Sequence, residues 1–239
     1  MLLFIYISFY YNIVMYLVEK NINRLYNLGY TYFLDNYEFN QVKGHLKKEE
    51  YSIYIPYKDS EKVILYKKEP DVFLYEIKTN NILKHQDIMG SLYNLNLDKS
   101  LFGDIVITNN KYYFYVLGII SDEIERSFNK VSRFNIEIER VNLDVLSNYE
   151  REYESIELIV SSLRIDTVIS KIINSNRNKV KDLISDKDIM LNYNYLKNNS
   201  YNLHPGDIFS IRRFGKYKFI DIKKNTKSGN LIIEIYKYI

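Results

Sequence analysis

Four arginines in the last third of the chain, Arg164, Arg177, Arg212 and Arg213, are the residues whose type and spacing point to chemistry. A guanidinium is always charged and presents a planar fork of N–H donors, a geometry that grips phosphate or carboxylate oxygens two at a time. Lys179, Lys181, Lys216, Lys218 and Lys227 lie in the same stretches and add point charges. Such a set supports the binding of a polyanion. Bond-making chemistry finds less support: there is no Cys to act as a thiolate or form a disulfide, and His45, His85 and His204 are a poor basis for a zinc site. With only 8 Gly in the chain, a phosphate-cradling glycine loop is also missing. No cofactor, metal or small-molecule substrate is expected.

The charge distribution agrees. From Ser155 to the end there are 15 Lys and Arg against 8 Asp and Glu, a net +7, whereas the residues before it carry 18 against 22, a net −4. An acidic two-thirds is thus joined to a basic third, the asymmetry expected when one module meets a polyanion. The chain has neither Ala nor Trp and is rich in Lys, Asn, Ile and Tyr. That bias looks like drift in an AT-rich genome, so a single Lys or Tyr carries less weight than an Arg.

The elements that must position these cations are legible. Ile165, Val168, Ile169 and Ile172 recur at helical spacing, with Arg164 and Lys171 off that stripe. After the break "NSN", Val180, Leu183 and Ile184 form a second short stripe, Asn176 is suited to cap the helix, and Arg177 and Lys181 share its other face. Free N–H groups at that helix start, with Arg177 beside them and Arg164 nearby, would suit phosphate oxygens. Asp166 is expected to hold an arginine in place or pair within its helical turn. Beyond Ile189 short strands alternate around "HPGD", "RFG" and "TKSGN". Gly215 is expected to let the chain turn tightly, bringing Arg212, Arg213, Lys216 and Lys218 close together.

Upstream, the reading is α+β. Residues 15–70 form a small α+β domain, with Asp35 placed to cap its second helix and strands near Tyr51–Tyr57 and Lys62–Lys67. Residues 71–146 read β-α-β-β-α-β: "VFLYEIKT", "HQDIMGSLYNL", "GDIVIT", "YYFYVLG", "SDEIERSFNKV" and "FNIEIERV". That is the order of the ferredoxin-like or RNA-recognition fold. Its third strand is aromatic, but the glycine-containing signature of base-stacking strands is absent, so Tyr112–Tyr115 read as core or plain surface. A charged link, residues 147–154, precedes a last domain at 155–239. The uncharged opening is slightly short for a membrane span, lacks a basic start and is followed by Met15 as a second initiator, so residues 1–14 read as an extended start or tail. A membrane segment and a buried core element are the alternatives there.

The stretches "LRIDTVIS…NRNKVKDLI…IMLN…PGDIFSIR" resemble the RNA-binding domain named after small-subunit ribosomal protein S-four. Together with "LKHQDIMGSLYNLNLDKSLFGDIVI", "KVSRFNIEIE" and "SIRRFGKYKF…TKSG", the chain from about Phe33 onward resembles the YlmH family. The resemblance implies a cytoplasmic, ribosome-associated, non-catalytic bacterial protein, monomeric, that binds large-subunit rRNA and peptidyl-tRNA in the quality control of stalled translation. The family's basic positions fall on Arg164, Arg177, Arg212, Lys216 and Lys218, with Gly215 in the hairpin; Asn176, Lys179, Lys181, Arg213 and Lys227 are expected as further RNA contacts, with Arg133 as an auxiliary contact. Lys187 and Arg213 stand where the family has glycine, which puts the turns there in question. Other readings stay open: an RNA-modifying enzyme such as a pseudouridine synthase relative, or a cell-division protein held at the membrane.

Overall fold

The computed structural model describes Leu2–Ile239, with side chains described from Val14 onward. The chain divides into two compact units, Met1–Glu150 and Arg151–Ile239. In the first, helix α1 (Leu2–Leu28) is followed by strand β1 (Leu34–Asp35), helix α2 (Asn36–Lys43) and strands β2 (Ser52–Tyr54) and β3 (Lys62–Tyr66). β3 lies between β1 and β2, antiparallel to both. Asp35 begins α2 with a capping box: the Glu38 N–H donates to its carboxylate at 2.8 Å, and the Asp35 N–H donates to Glu38 at 3.0 Å. The opening, expected as an extended start or tail, runs instead into α1. It contains no Gly or Pro to stop a helix that the following residues propagate. Among the described residues no helix is long and apolar enough to cross a membrane.

The chain continues through β4 (Val72–Lys78), α3 (His85–Tyr93), β5 (Phe102–Thr108), β6 (Lys111–Leu117), α4 (Ser121–Ser127), the short strands β7 (Lys130–Val131) and β8 (Phe134–Asn135), and β9 (Glu137–Val141). The main sheet is antiparallel in the order β5-β6-β4-β9, the strand order of a ferredoxin-like sheet. Asn109 and Asn110, both at positive φ (49° and 58°), make the two-residue turn between β5 and β6. The helix expected through Val131 ends at Ser127, and Val131 is buried from β7 instead.

Both faces of this sheet are covered. Tyr75, Ile77, Tyr112, Phe114 and Val116 pack with Ile88 and Leu92 of α3 and Ile124 of α4. The opposite face, Leu74, Tyr113, Tyr115 and Leu117, packs against Phe33, Tyr57 and Ile64 of the N-terminal segment and Leu146. Gly103 makes this closeness feasible, because a Cβ there would lie 2.7 Å from the Tyr115 Cβ and 2.9 Å from the Phe33 ring. Buried Asp104 fixes the seam by accepting from the Tyr57 hydroxyl (2.8 Å), the Ser60 hydroxyl (2.9 Å) and the Glu61 N–H (2.7 Å). Each large apolar side chain buried in this way contributes about 1.5–3 kcal/mol.

The second unit runs β10 (Tyr153–Val160), α5 (Ile165–Ile172), α6 (Arg177–Ser185), β11 (Ile189–Leu191), β12 (Asn194–Tyr195), β13 (Ile208–Ile211), β14 (Gly215–Asn225) and β15 (Leu231–Tyr238). Its six strands form one antiparallel sheet in the order β10-β15-β14-β13-β11-β12. Ile165, Val168 and Ile169 of α5 and Val180 and Leu183 of α6 are buried on one sheet face against Phe209, Tyr217, Phe219, Ile233 and Ile235. The helical stripes therefore point inward, while Lys171 of α5 and Lys179 and Lys181 of α6 are exposed.

Candidate functional site

Arg164 sits at the start of α5, where the backbone is tied on both sides to the Tyr201–Leu203 loop. The Ile165 N–H donates to the Tyr201 carbonyl at 2.8 Å and the Leu203 N–H to the Leu163 carbonyl at 3.0 Å. The next two polar residues are buried, Asp166 being only 2% exposed and Thr167 4%. Arg164 donates to Asp166 through Nε at 3.2 Å and Nη2 at 2.8 Å, a two-point ion pair. Arg164's hydrogen bonds hold the Asp166 carboxyl below its ordinary range, against the upward push of burial and with help from the charges of Arg164 and Arg177. Asp166 thus holds an arginine in place, as its position suggested.

The break after α5 turns through Asn174 in the left-handed region (φ 48°). Asn176 then caps α6, accepting the Lys179 N–H at 2.9 Å. Arg177, the first residue of α6, returns toward α5 and donates through Nη2 to the Thr167 hydroxyl at 2.7 Å. Arg164 and Arg177 are therefore brought together from two helix starts. Lys179 and Lys181 are exposed, with Lys181 one helical turn beyond Arg177 on the same face.

At the far end of α6, Lys187 adopts φ 58° and its N–H donates to the Ile184 carbonyl at 3.1 Å, so the glycine-type turn is kept with a lysine in it. Asp188 follows and takes Arg212 by two routes: its carbonyl accepts the Arg212 N–H at 2.9 Å, and its carboxylate accepts Nη1 at 3.1 Å. Arg213 lies in the exposed turn between β13 and β14 at φ 71°, and Gly215 at φ 124° closes it opposite Ile211. The nine-residue α6, about 13 Å long, runs from Arg177 at its start toward this group beyond its end.

The remaining candidates lie apart from the Arg164–Arg177 pair. On β14, Lys216 and Lys218 alternate with Tyr217 and Phe219, whose side chains are in the core with the helices. The two lysines therefore belong to the sheet face away from α5 and α6. There Lys216 lies over the Tyr193 and Tyr238 rings at 4.9 and 4.8 Å. Lys227 is exposed at the β14–β15 tip, about 35 Å of strand from the Arg213 turn. Arg133 belongs to the first unit, exposed between β7 and β8 and lying over the Phe134 ring at 5.1 Å, next to Ser132, whose N–H donates to the Ser91 hydroxyl at 3.0 Å.

Sequence reasoning missed two partners. Thr167, three residues after Arg164 and beside the apolar stripe, and Asp188, just past the helix end, are the groups that hold Arg177 and Arg212. Their proximity in sequence to helix termini was the available signal. Among the described residues no group of three or more His, Cys, Asp or Glu could hold a metal ion.

Comparison with known proteins adds three findings. Residues 67–145 match a family model described as "Putative RNA-binding domain in YlmH". A curated relative, "Ribosome-associated protein quality control protein P2" of Bacillus subtilis (strain 168), is 27% identical over 143 residues, 60% of this chain and 56% of the relative. The match thus spans little more than half of that relative's length. A solved structure, "Cell division protein ylmH from Streptococcus pneumoniae", is 18% identical with a TM-score of 0.45, covering 57% of this chain and 93% of that one. Of the candidate site residues, only Arg133 falls inside the span of the family model.

Proposed function

We propose that this chain, a member of the YlmH family through residues 67–145, is a non-catalytic RNA-binding protein of the ribosome. Its second unit, read as an S-four-type domain, grips the phosphates of large-subunit rRNA and steadies peptidyl-tRNA during the quality control of stalled translation. The observation that carries this reading is the arginine pair. Two guanidinium groups from two helix starts are held side by side at the surface by buried partners, with the exposed cations of α6 continuing from them toward Arg212. Rigid, always-charged forks suit phosphate oxygens better than free lysines do, because less motion is lost on binding. The curated relative's name gives the ribosomal context. In this reading the protein is cytoplasmic, and unit one contributes Arg133 as a secondary contact.

Co-sedimentation with purified large ribosomal subunits tests the reading. Each phosphate contact releases condensed counterions, so binding should fall steeply between low and physiological salt. Changing Arg164 and Arg177 together to Gln, which keeps an amide donor for Asp166 and Thr167, should cut co-sedimentation sharply in a protein whose circular dichroism is unchanged. Undiminished binding by that variant would remove the site.

A further inference from the structure

Asp166 is a charged group taken almost wholly out of water, and such burial costs several kcal/mol unless the charge is paired. Its compensation comes from the Arg164 fork, and the Thr167 hydroxyl lies 3.3 Å from the same carboxylate. Thr167 accepts from Arg177, so its own single proton is available for Asp166 Oδ1 or for the Ser162 hydroxyl, also at 3.3 Å. The result is one chain of polar contacts, Arg164 to Asp166 to Thr167 to Arg177. Its two middle members are buried and its two ends are at the surface.

The backbone under the middle members is fixed. Ile165, Val168 and Ile169 anchor the first turn of α5 in the core, and the Arg164 carbonyl accepts the Thr167 and Val168 N–H groups at 2.9 and 3.1 Å. Among the described residues, Nη1 of Arg164 and both Nε and Nη1 of Arg177 make no hydrogen bond. Each arginine thus spends part of its fork on the protein and keeps donors for a ligand. A surface arginine without such a partner must lose side-chain entropy on binding, about 2 kcal/mol for the whole chain. Asp166 and Thr167 remove much of that loss beforehand.

We propose that Asp166 and Thr167 are positioning residues: a buried carboxylate and hydroxyl that set the two guanidinium planes of Arg164 and Arg177 for one phosphate segment of structured RNA. This rests on the RNA-binding reading above. Neither residue touches the RNA itself.

A double-mutant cycle tests it, using the full chain, fluorescently labelled and titrated with purified large ribosomal subunits. D166N and R164Q should each weaken binding about tenfold, the scale of one charge-assisted hydrogen-bonded contact, and the double variant should be no worse than R164Q alone. T167V and R177Q should behave as the second such pair, with T167S recovering most of the affinity that T167V loses. A merely structural role predicts instead that D166N adds its full loss on top of R164Q and that T167S and T167V bind alike; either result overturns the proposal. Should D166N fail to fold by circular dichroism, the T167V, T167S and R177Q set decides alone. Wild-type affinity in both R164Q and R177Q would overturn the RNA-binding site along with its positioning, whereas weakened arginine variants with additive partners would overturn the positioning only.

Discussion

Asp166 joins the chemistry of the site to the stability of the second unit. The hydrogen bonds from Arg164 hold its carboxyl below the ordinary range in the folded protein. A carboxyl depressed in this way stabilises the fold at pH values above its unfolded value of about 3.9, and that contribution is lost as pH falls through the folded value. Urea denaturation followed from pH 6 to pH 3 should therefore show wild type losing stability below about pH 4 more steeply than D166N. Equal pH slopes would mean that the ion pair contributes nothing to folding. The sequence disclosed Asp166 as a partner, because it stands two residues from Arg164 at a helix start. It did not disclose which arginine takes Thr167, since that depends on how α6 is docked and on nothing local to either helix.

At the scale of elements, the turns flanking α6 and β14 hold an unusual pair of residues. Lys187 and Arg213 both sit in the left-handed region, at φ 58° and 71°, where a Cβ is crowded and glycine is relaxed. Most other non-glycine residues at positive φ here are Asn, which tolerates that region. An exposed arginine kept in a strained turn suggests selection for its charge. R213G should raise unfolding stability by about 1 kcal/mol while weakening ribosome binding, read by urea midpoint and by titration. A variant that gains stability with unchanged affinity would show that the arginine is there by drift. The helical stripes, the Asn176 cap and the two-Asn hairpin were legible because each element carries its own periodicity or turn chemistry. The alternation that turns Lys216 and Lys218 away from α5 and α6 was legible in principle. Tyr217 and Phe219 impose the period of two that puts the lysines between them on the far side of the sheet from the helices.

Across the whole molecule, the central sheet has no open face on which to stack bases. Tyr113 and Tyr115, 3% and 0% exposed, are covered by the N-terminal segment. In the sequence, the near-continuous apolar runs of "VFLYEIK" and "KYYFYVL" were the trace of burial on both faces, a pattern that a one-sided sheet would replace with alternation. The β-α-β-β-α-β order could be read from the chain, whereas the partner of its second face could not, because Phe33 and Tyr57 meet it across long stretches of sequence. With that sheet closed, the net charge of +7 from Ser155 onward and the paired arginines are the grounds on which we propose the second unit as the principal RNA-binding surface. Ultraviolet crosslinking of the full protein to ribosomes, with mass spectrometric identification of the crosslinked peptides, tests this most directly. Crosslinks are expected from α5 through α6 and at the Arg212–Gly215 turn, and crosslinks confined to Met1–Glu150 would contradict an RNA-binding second unit.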